Sequence, residues 1–375
     1  MKSIYEGHGI EAFLNHAAQT VPGPFKGIMP HRMNARLRSQ IEDPLFSWNE
    51  FCPSGISLEL AIKKTTTITL TGYALDDSPQ WISLVSRNAE QSKRMEVLMH
   101  GLGRLVPNLK EGSFSLKTGN PMTITLEPLD AMDTQFTVML SHTCLAEIIG
   151  IESDDAVTPN GIETPRRRWT HYGSSISHGA QSQRPADRWL MQVAQKLDLD
   201  LTDLSLSGNA QLDQAVARTI ANQPADFITC AIGINLVNAD SMRERTFMPA
   251  VHGFLDTVRD RHPQTPLIVI TACTCPMQEN TPGPVMQESD GTFRTARRSL
   301  ENDEGALTLS KTREMVERAV EQRHDPFMTV MNGLELLGPS DAHFLRDNLH
   351  PDQAGIDVIA SRFATLLPQA LRRVQ

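Results

Sequence analysis

Phe227-Ile228-Thr229-Cys230-Ala231-Ile232 carries apolar or small side chains at nearly every position. A strand that shows one face to water alternates apolar with polar residues. A strand covered on both faces does not, and such strands belong to parallel sheets flanked by helices. Downstream, Leu267-Ile268-Val269-Ile270-Thr271-Ala272 repeats the pattern; upstream, Trp169–Tyr172 and Leu199–Leu206 read as earlier strands, and Phe327–Met331 as a last one. Helical periods fill the gaps. Pro185–Leu197 reads as a helix with Pro185 near its first turn and Trp189, Leu190, Val193, Ala194 and Leu197 on one face. Ala210–Asn222, Phe247–Arg261, Leu307–Gln322 and a segment after Pro351 continue the series. Strand alternating with helix predicts a three-layer α/β/α domain around a parallel sheet. Ligands in such sheets bind beyond the carboxyl ends of the strands, so the residues just after each strand matter most. Pro276–Glu304 is polar and irregular, of a length suited to a lid or substrate loop.

The first part of the chain has another rhythm. From about Ser57 to Ile151 the period is two: Ile56, Leu58, Leu60 and Ile62 alternate with polar or small partners. Ile68/Leu70, Ile82/Leu84 beside Trp81, Val97/Met99, Phe114/Leu116, Ile124/Leu126 and Phe136/Val138/Leu140 follow. Asp76-Asp77-Ser78-Pro79, Lys110-Glu111-Gly112 and Thr118-Gly119-Asn120-Pro121 mark turns. About eight short strands without helices between them predict a β-sandwich of jelly-roll type. The polar stretch Asp154–Gly161 reads as the linker, which divides the chain into a β-sandwich domain at 1–160 and an α/β domain at 161–375.

Composition narrows the function. With 375 residues, two domains are the first expectation, and 40% apolar content lets each bury a core. A net charge of −9 argues against nucleic acid or an anionic membrane as partner. The N-terminus lacks the apolar core of a secretory signal, and no later run reaches membrane-spanning length. The five cysteines lack scaffold spacing, and Cys273-Thr274-Cys275 reads as reduced thiols at a strand end rather than a metal or redox pair. A cytoplasmic location is expected, with a homo-oligomer left open.

Four segments sit where chemistry would be placed. Gly173-Ser174-Ser175-Ile176-Ser177 follows the first strand, Ser207-Gly208-Asn209 the second and Gly233-Ile234-Asn235 the third, while Asp347-Asn348-Leu349-His350 lies in a late loop before Pro351. A serine opening a helix gains free N–H groups and the positive dipole end, and equally serves as a plain cap. Gly208 could bring its backbone N–H close to a substrate oxygen, or simply turn the chain. Asn235 could donate to a developing oxyanion, or cap a turn. A histidine base needs an acceptor on its far nitrogen, and this is the chain's one Asp-x-x-His. Each is ambiguous alone; their order at one predicted sheet mouth is not.

In these four blocks the chain resembles the SGNH/GDSL hydrolases, over most of Arg166–Leu371. The resemblance implies a flavodoxin-like domain with Ser175 as nucleophile, His350 as base and then acid, and Asp347 as the orienting carboxylate. It implies an oxyanion hole from the Ser175 and Gly208 N–H groups and the Asn235 side chain, with no cofactor or metal. The β-domain in front looks like that of certain two-domain carbohydrate esterases. Two positions depart from the pattern: Ser174 replaces the usual Asp of Gly-Asp-Ser, and Leu236 replaces the Asp after the third-block Asn.

The expected activity is hydrolysis of a short-chain ester, such as an acetyl ester of a sugar or small metabolite. The alternatives are acyl transfer with the same triad, or a carbohydrate-binding protein with a vestigial hydrolase domain. Gly-x-Ser-x-Gly and His-Glu-x-x-His are absent, and a Gly7-to-Ala12 match to a dinucleotide fingerprint lacks its preceding strand. His171, His178 and His343 read as packing or pocket-lining residues rather than metal ligands.

Overall fold

The computed structural model describes residues 3–108, 113–159, 166–297 and 303–374. The turn at Lys110-Glu111-Gly112 and the linker residues Asn160 and Gly161 lie outside them. The chain forms two compact units, Met1–Arg166 with Gln183–Asp187, and Arg167–Ser182 with Arg188–Gln375.

The first unit holds two sheets. One runs in the order Ser113–Lys117, Gly103–Asn108, Thr66–Ala74, Leu145–Ser153, Ile28–His31, Gln19–Pro22. The other runs Thr158–Pro159, Ser57–Ile62, Thr134–Met139, Trp81–Arg87, Ser92–Leu98. Leu58, Leu60, Ile82, Leu84, Phe136 and Val138 of the second sheet share one buried cluster with Ile68, Leu70, Ile148 and Ile151 of the first. The period of two thus puts one face of each sheet into a common core, as a sandwich requires. Pairing is antiparallel throughout except for Thr66–Ala74 against Gly103–Asn108. Two short helices, Ala35–Arg38 and Pro44–Phe51, precede the alternating stretch.

The second unit is a five-stranded parallel sheet in the order Leu199–Asp203, Arg167–Tyr172, Phe227–Ala231, Leu267–Ile270, Met328–Met331. Helices Trp189–Lys196 and Gln353–Arg372 cover one face, where Trp169, Trp189, Phe227 and Phe363 form an aromatic cluster. Gln214–Asn222, Glu244–Arg259 and Leu309–Arg323 pack in a row, and Tyr172 meets Phe254 of that layer at 4.9 Å between ring centroids. Phe227, Ile228, Leu267, Ile268 and Val269 are wholly buried, so the uninterrupted apolar runs mark strands covered on both sides.

Three elements differ from the sequence reading. The helix expected over Pro185–Leu197 is a 3₁₀ turn at Pro185–Asp187 followed by a helix at Trp189–Lys196. The break is Arg188, whose extended backbone carries its side chain into a buried ion pair with Asp203. The helix expected from Ala210 begins at Gln214, because Leu212 takes a left-handed conformation (φ 63°) and its N–H donates to the Tyr172 hydroxyl. The segment Pro276–Glu304 contains a small hairpin, Val285–Gln287 against Phe293–Thr295. No helix among the described residues is long and apolar enough to cross a membrane.

Candidate active site

The first strand of the parallel sheet ends at Tyr172, and Gly173 turns the chain into the short helix Ser175–His178. A Cβ at Gly173 would lie 2.6 Å from the Ser177 hydroxyl and 2.8 Å from His171 Nε2, so the turn is too tight for a side chain. Ser174 occupies the cap position, which leaves Ser175 as the first helical residue with its hydroxyl free for other work. Its Oγ lies 2.9 Å from His350 Nε2, and His350 Nδ1 lies 2.8 Å from Asp347 Oδ2.

Asp347 is held from several directions. Its Oδ1 accepts the N–H groups of Leu349 (2.9 Å) and His350 (2.6 Å), and Oδ2 also accepts from the Gln181 amide at 3.1 Å. Burial alone raises the pKa of this carboxyl, but the hydrogen bonds from the His350 ring and backbone outweigh it and lower the pKa to about 2. The carboxylate therefore stays charged at neutral pH and fixes the imidazole proton on Nδ1, leaving the Nε2 lone pair toward Ser175. The His350 and Asp347 side chains are 13% and 15% exposed, buried enough to be oriented and open enough for a substrate to reach.

Two strand-end segments converge on the same mouth, since the first strand lies between the second and third. The Leu206 N–H donates to the Gly173 carbonyl (2.8 Å), tying the second-strand loop to the serine turn. Gly208, in that loop, has φ 71°, a conformation that favours glycine. Among the described residues, no protein acceptor takes the N–H of Gly208 or of Ser175. Asn235 sits in the first turn of helix Ile234–Asn238 and is almost fully buried. Its Oδ1 accepts the Ala210 N–H at 3.1 Å, which identifies the other end of the amide as the free donor, Nδ2.

Beneath the serine turn, Arg188 donates to the Ser177 carbonyl (3.0 Å) and pairs with Asp203, both side chains essentially inaccessible. His171 bridges Thr229 Oγ1 (2.7 Å) and Ser177 Oγ (2.9 Å) in the core, and burial lowers its pKa to about 3. It is therefore a neutral packing residue. His178 is buried with Nδ1 3.2 Å from the Ser205 carbonyl oxygen, while His343 is exposed against Phe344. No group of three or more His, Cys, Asp or Glu among the described residues could hold a metal ion. Ser174 lines a cavity of about 40 Å³ with Ile176, Trp189, Ile270, Thr271 and Cys273.

Sequence reasoning missed Gln181, the Arg188–Asp203 pair and Phe293. Asp203, a carboxylate on the buried face of an alternating strand, carried a usable signal. Gln181 and Phe293 reach the site from 166 and 57 positions away from Asp347 and His350, respectively, and carried none.

Residues 166–331 match the model of the GDSL-like lipase/acylhydrolase family, a span that ends before Asp347. No curated protein matches the chain in sequence. Among solved structures, the fold is similar to a salicylyl-acyltransferase from a tetracycline biosynthetic pathway (TM-score 0.78, 18% identity, 100% of this chain and 99% of that one). It is also similar to a family two carbohydrate esterase from Cellvibrio japonicus (TM-score 0.60, 12% identity, 100% of both chains). A third likeness is to an acetyl xylan esterase from the rumen bacterium Butyrivibrio proteoclasticus (TM-score 0.55, 12% identity, 100% of both chains).

Proposed function

Because residues 166–331 match the GDSL-like lipase/acylhydrolase family, we propose that the chain is a serine hydrolase of the SGNH type that cleaves a short-chain carboxylic ester through an acyl-enzyme on Ser175. The observation that carries this reading is the unbroken relay from Ser175 Oγ to His350 Nε2 (2.9 Å) and from His350 Nδ1 to Asp347 Oδ2 (2.8 Å). His350 takes the serine proton as Oγ attacks the carbonyl carbon. The tetrahedral oxyanion is met by the N–H groups of Ser175 and Gly208 and by Asn235 Nδ2, a donor set in which each member contributes about 3 kcal/mol by precedent. Protonated His350 then delivers its proton to the departing alcohol, and water repeats the sequence on the acyl-enzyme.

An acetyl-sized acyl group on a sugar or small metabolite is the preferred substrate, in keeping with the fold shared with carbohydrate esterases. Five unpaired cysteines are in keeping with a reducing, cytoplasmic setting. Acyl transfer is the second reading, favoured by whole-chain likeness to an acyltransferase. An acceptor alcohol would then replace water on the same intermediate.

Hydrolysis of p-nitrophenyl acetate by wild type and by Ser175→Ala tests the main reading; equal rates in both would refute it. Adding sugar or alcohol acceptors and analysing products separates the two: acylated acceptor at the expense of free acid marks transfer.

A further inference from the structure

We propose that Phe293, at the start of the hairpin's second strand, is a positioning residue for the base His350. Three contacts converge there. The Phe293 N–H donates to the Asp347 carbonyl at 2.8 Å, and Asn348 Nδ2 donates to the Phe293 carbonyl at 3.2 Å. The Phe293 ring meets the His350 imidazole edge-on, centroids 5.5 Å apart at 76°. The backbone of Phe293 thus clips the loop at the peptide joining Asp347 to Asn348, while its ring walls one flank of the imidazole. Asn348 is itself in the left-handed region (φ 70°), which bends the loop so that its side chain can reach the hairpin.

The hairpin is anchored independently of this clip. Thr295 Oγ1 donates to the Met277 carbonyl (3.0 Å), and within the hairpin the Ala296 N–H donates to the Pro284 carbonyl (2.8 Å) and Arg294 pairs with Glu288. On the other side of the loop, Arg346 pairs with Asp352, and the Cys275 thiol donates to the Asn348 carbonyl at 3.5 Å. These four charges are paired with one another, and the element placed against the imidazole from the hairpin is an uncharged ring. Such a ring excludes water from the Nδ1–H···Oδ2 bond and holds the imidazole rotamer that points Nε2 at Ser175. The segment read in sequence as a lid or substrate loop thereby includes a brace. A misplacement of a catalytic group by about 1 Å costs up to roughly 100-fold in rate.

This inference rests on the proposed function for what His350 does, but its test does not depend on that reading. The proton on His350 Nδ1, shared with a carboxylate and shielded from water, gives a far-downfield ¹H resonance, assigned by its loss in His350→Ala. In Phe293→Ala this resonance is expected to broaden or vanish through exchange with water. The rate of Ser175 modification by a fluorophosphonate and kcat on p-nitrophenyl acetate should both fall about tenfold, with KM nearly unchanged. Phe293→Tyr, which keeps the ring, should restore all three. Asn348→Gly, which keeps the backbone conformation and removes the clip bond, should give a smaller loss in the same direction. A wild-type resonance together with wild-type rates in Phe293→Ala would overturn the proposal. If the wild type neither hydrolyses the ester nor reacts with the fluorophosphonate, the function reading fails, and the resonance alone still decides the role of Phe293.

Discussion

One short helix presents two serines to two histidines at the same distance. Ser175 Oγ lies 2.9 Å from His350 Nε2, and Ser177 Oγ lies 2.9 Å from His171 Nε2. The contacts look alike, and their surroundings separate them. His350 has the Asp347 carboxylate on its far nitrogen and partial access to solvent. His171 has the neutral hydroxyl of Thr229 there, is fully buried, and has its pKa lowered to about 3 by desolvation. A base must accept a proton during turnover, which His171 could do only by placing an uncompensated cation in the core. A serine–histidine contact is thus not a catalytic signature by itself; the third partner and the exposure decide.

The sharpest way to break this contrast is to remove each serine. Ser175→Ala should lose roughly 10⁴-fold or more in kcat/KM on an activated ester, whereas Ser177→Ala should stay within about threefold and lose about 1 kcal/mol of stability. Steady-state kinetics with a urea melt on each variant reads both numbers, and comparable activity losses would erase the distinction. Next in size is Asp347→Asn, which turns the far partner of His350 into a neutral group like the one on His171. A loss of roughly 10³- to 10⁴-fold in kcat is expected, with the fold intact by circular dichroism. Asn235→Ala should cost about 100-fold in kcat by deleting one oxyanion donor, measured at saturating substrate.

A further effect concerns stability alone. His171 must be neutral in the fold, and its pKa there, about 3, lies below the ordinary value of about 6.5. The unfolded chain therefore binds the extra proton first. The stability that neutral His171 contributes is complete above pH ~6.5 and is lost as pH falls from there toward about 3. His171→Gln should lower Tm at pH 7 but flatten its decline between pH 6.5 and 4 relative to wild type. Parallel Tm curves for the two proteins would show that His171 is not the group involved.

The division into a β-rich and an α/β half was legible because periodicity is local: Leu58 and Leu60 alternate, while Phe227–Ile232 does not. The residues after the strands could be picked out for the same reason, since a parallel sheet fixes where its loops emerge. What escaped reading depends on distant partners. Arg188 breaks a helix whose sequence pattern looks continuous, because its guanidinium is needed by Asp203. The hairpin strands Val285–Gln287 and Phe293–Thr295 are three residues each, too short to show a period. Ser175 could be read as a cap or a nucleophile from sequence; in the fold the cap position belongs to Ser174, and Ser175 faces an imidazole.

Of the two serines with matching histidine contacts, we propose that Ser175 alone is acylated. Brief reaction with p-nitrophenyl acetate, an acid quench and peptide mass spectrometry test it directly. A single acetyl adduct is expected on Ser175, unchanged in Ser177→Ala and absent in Ser175→Ala. An adduct on Ser177, or hydrolysis that continues at the wild-type rate in Ser175→Ala, would contradict it.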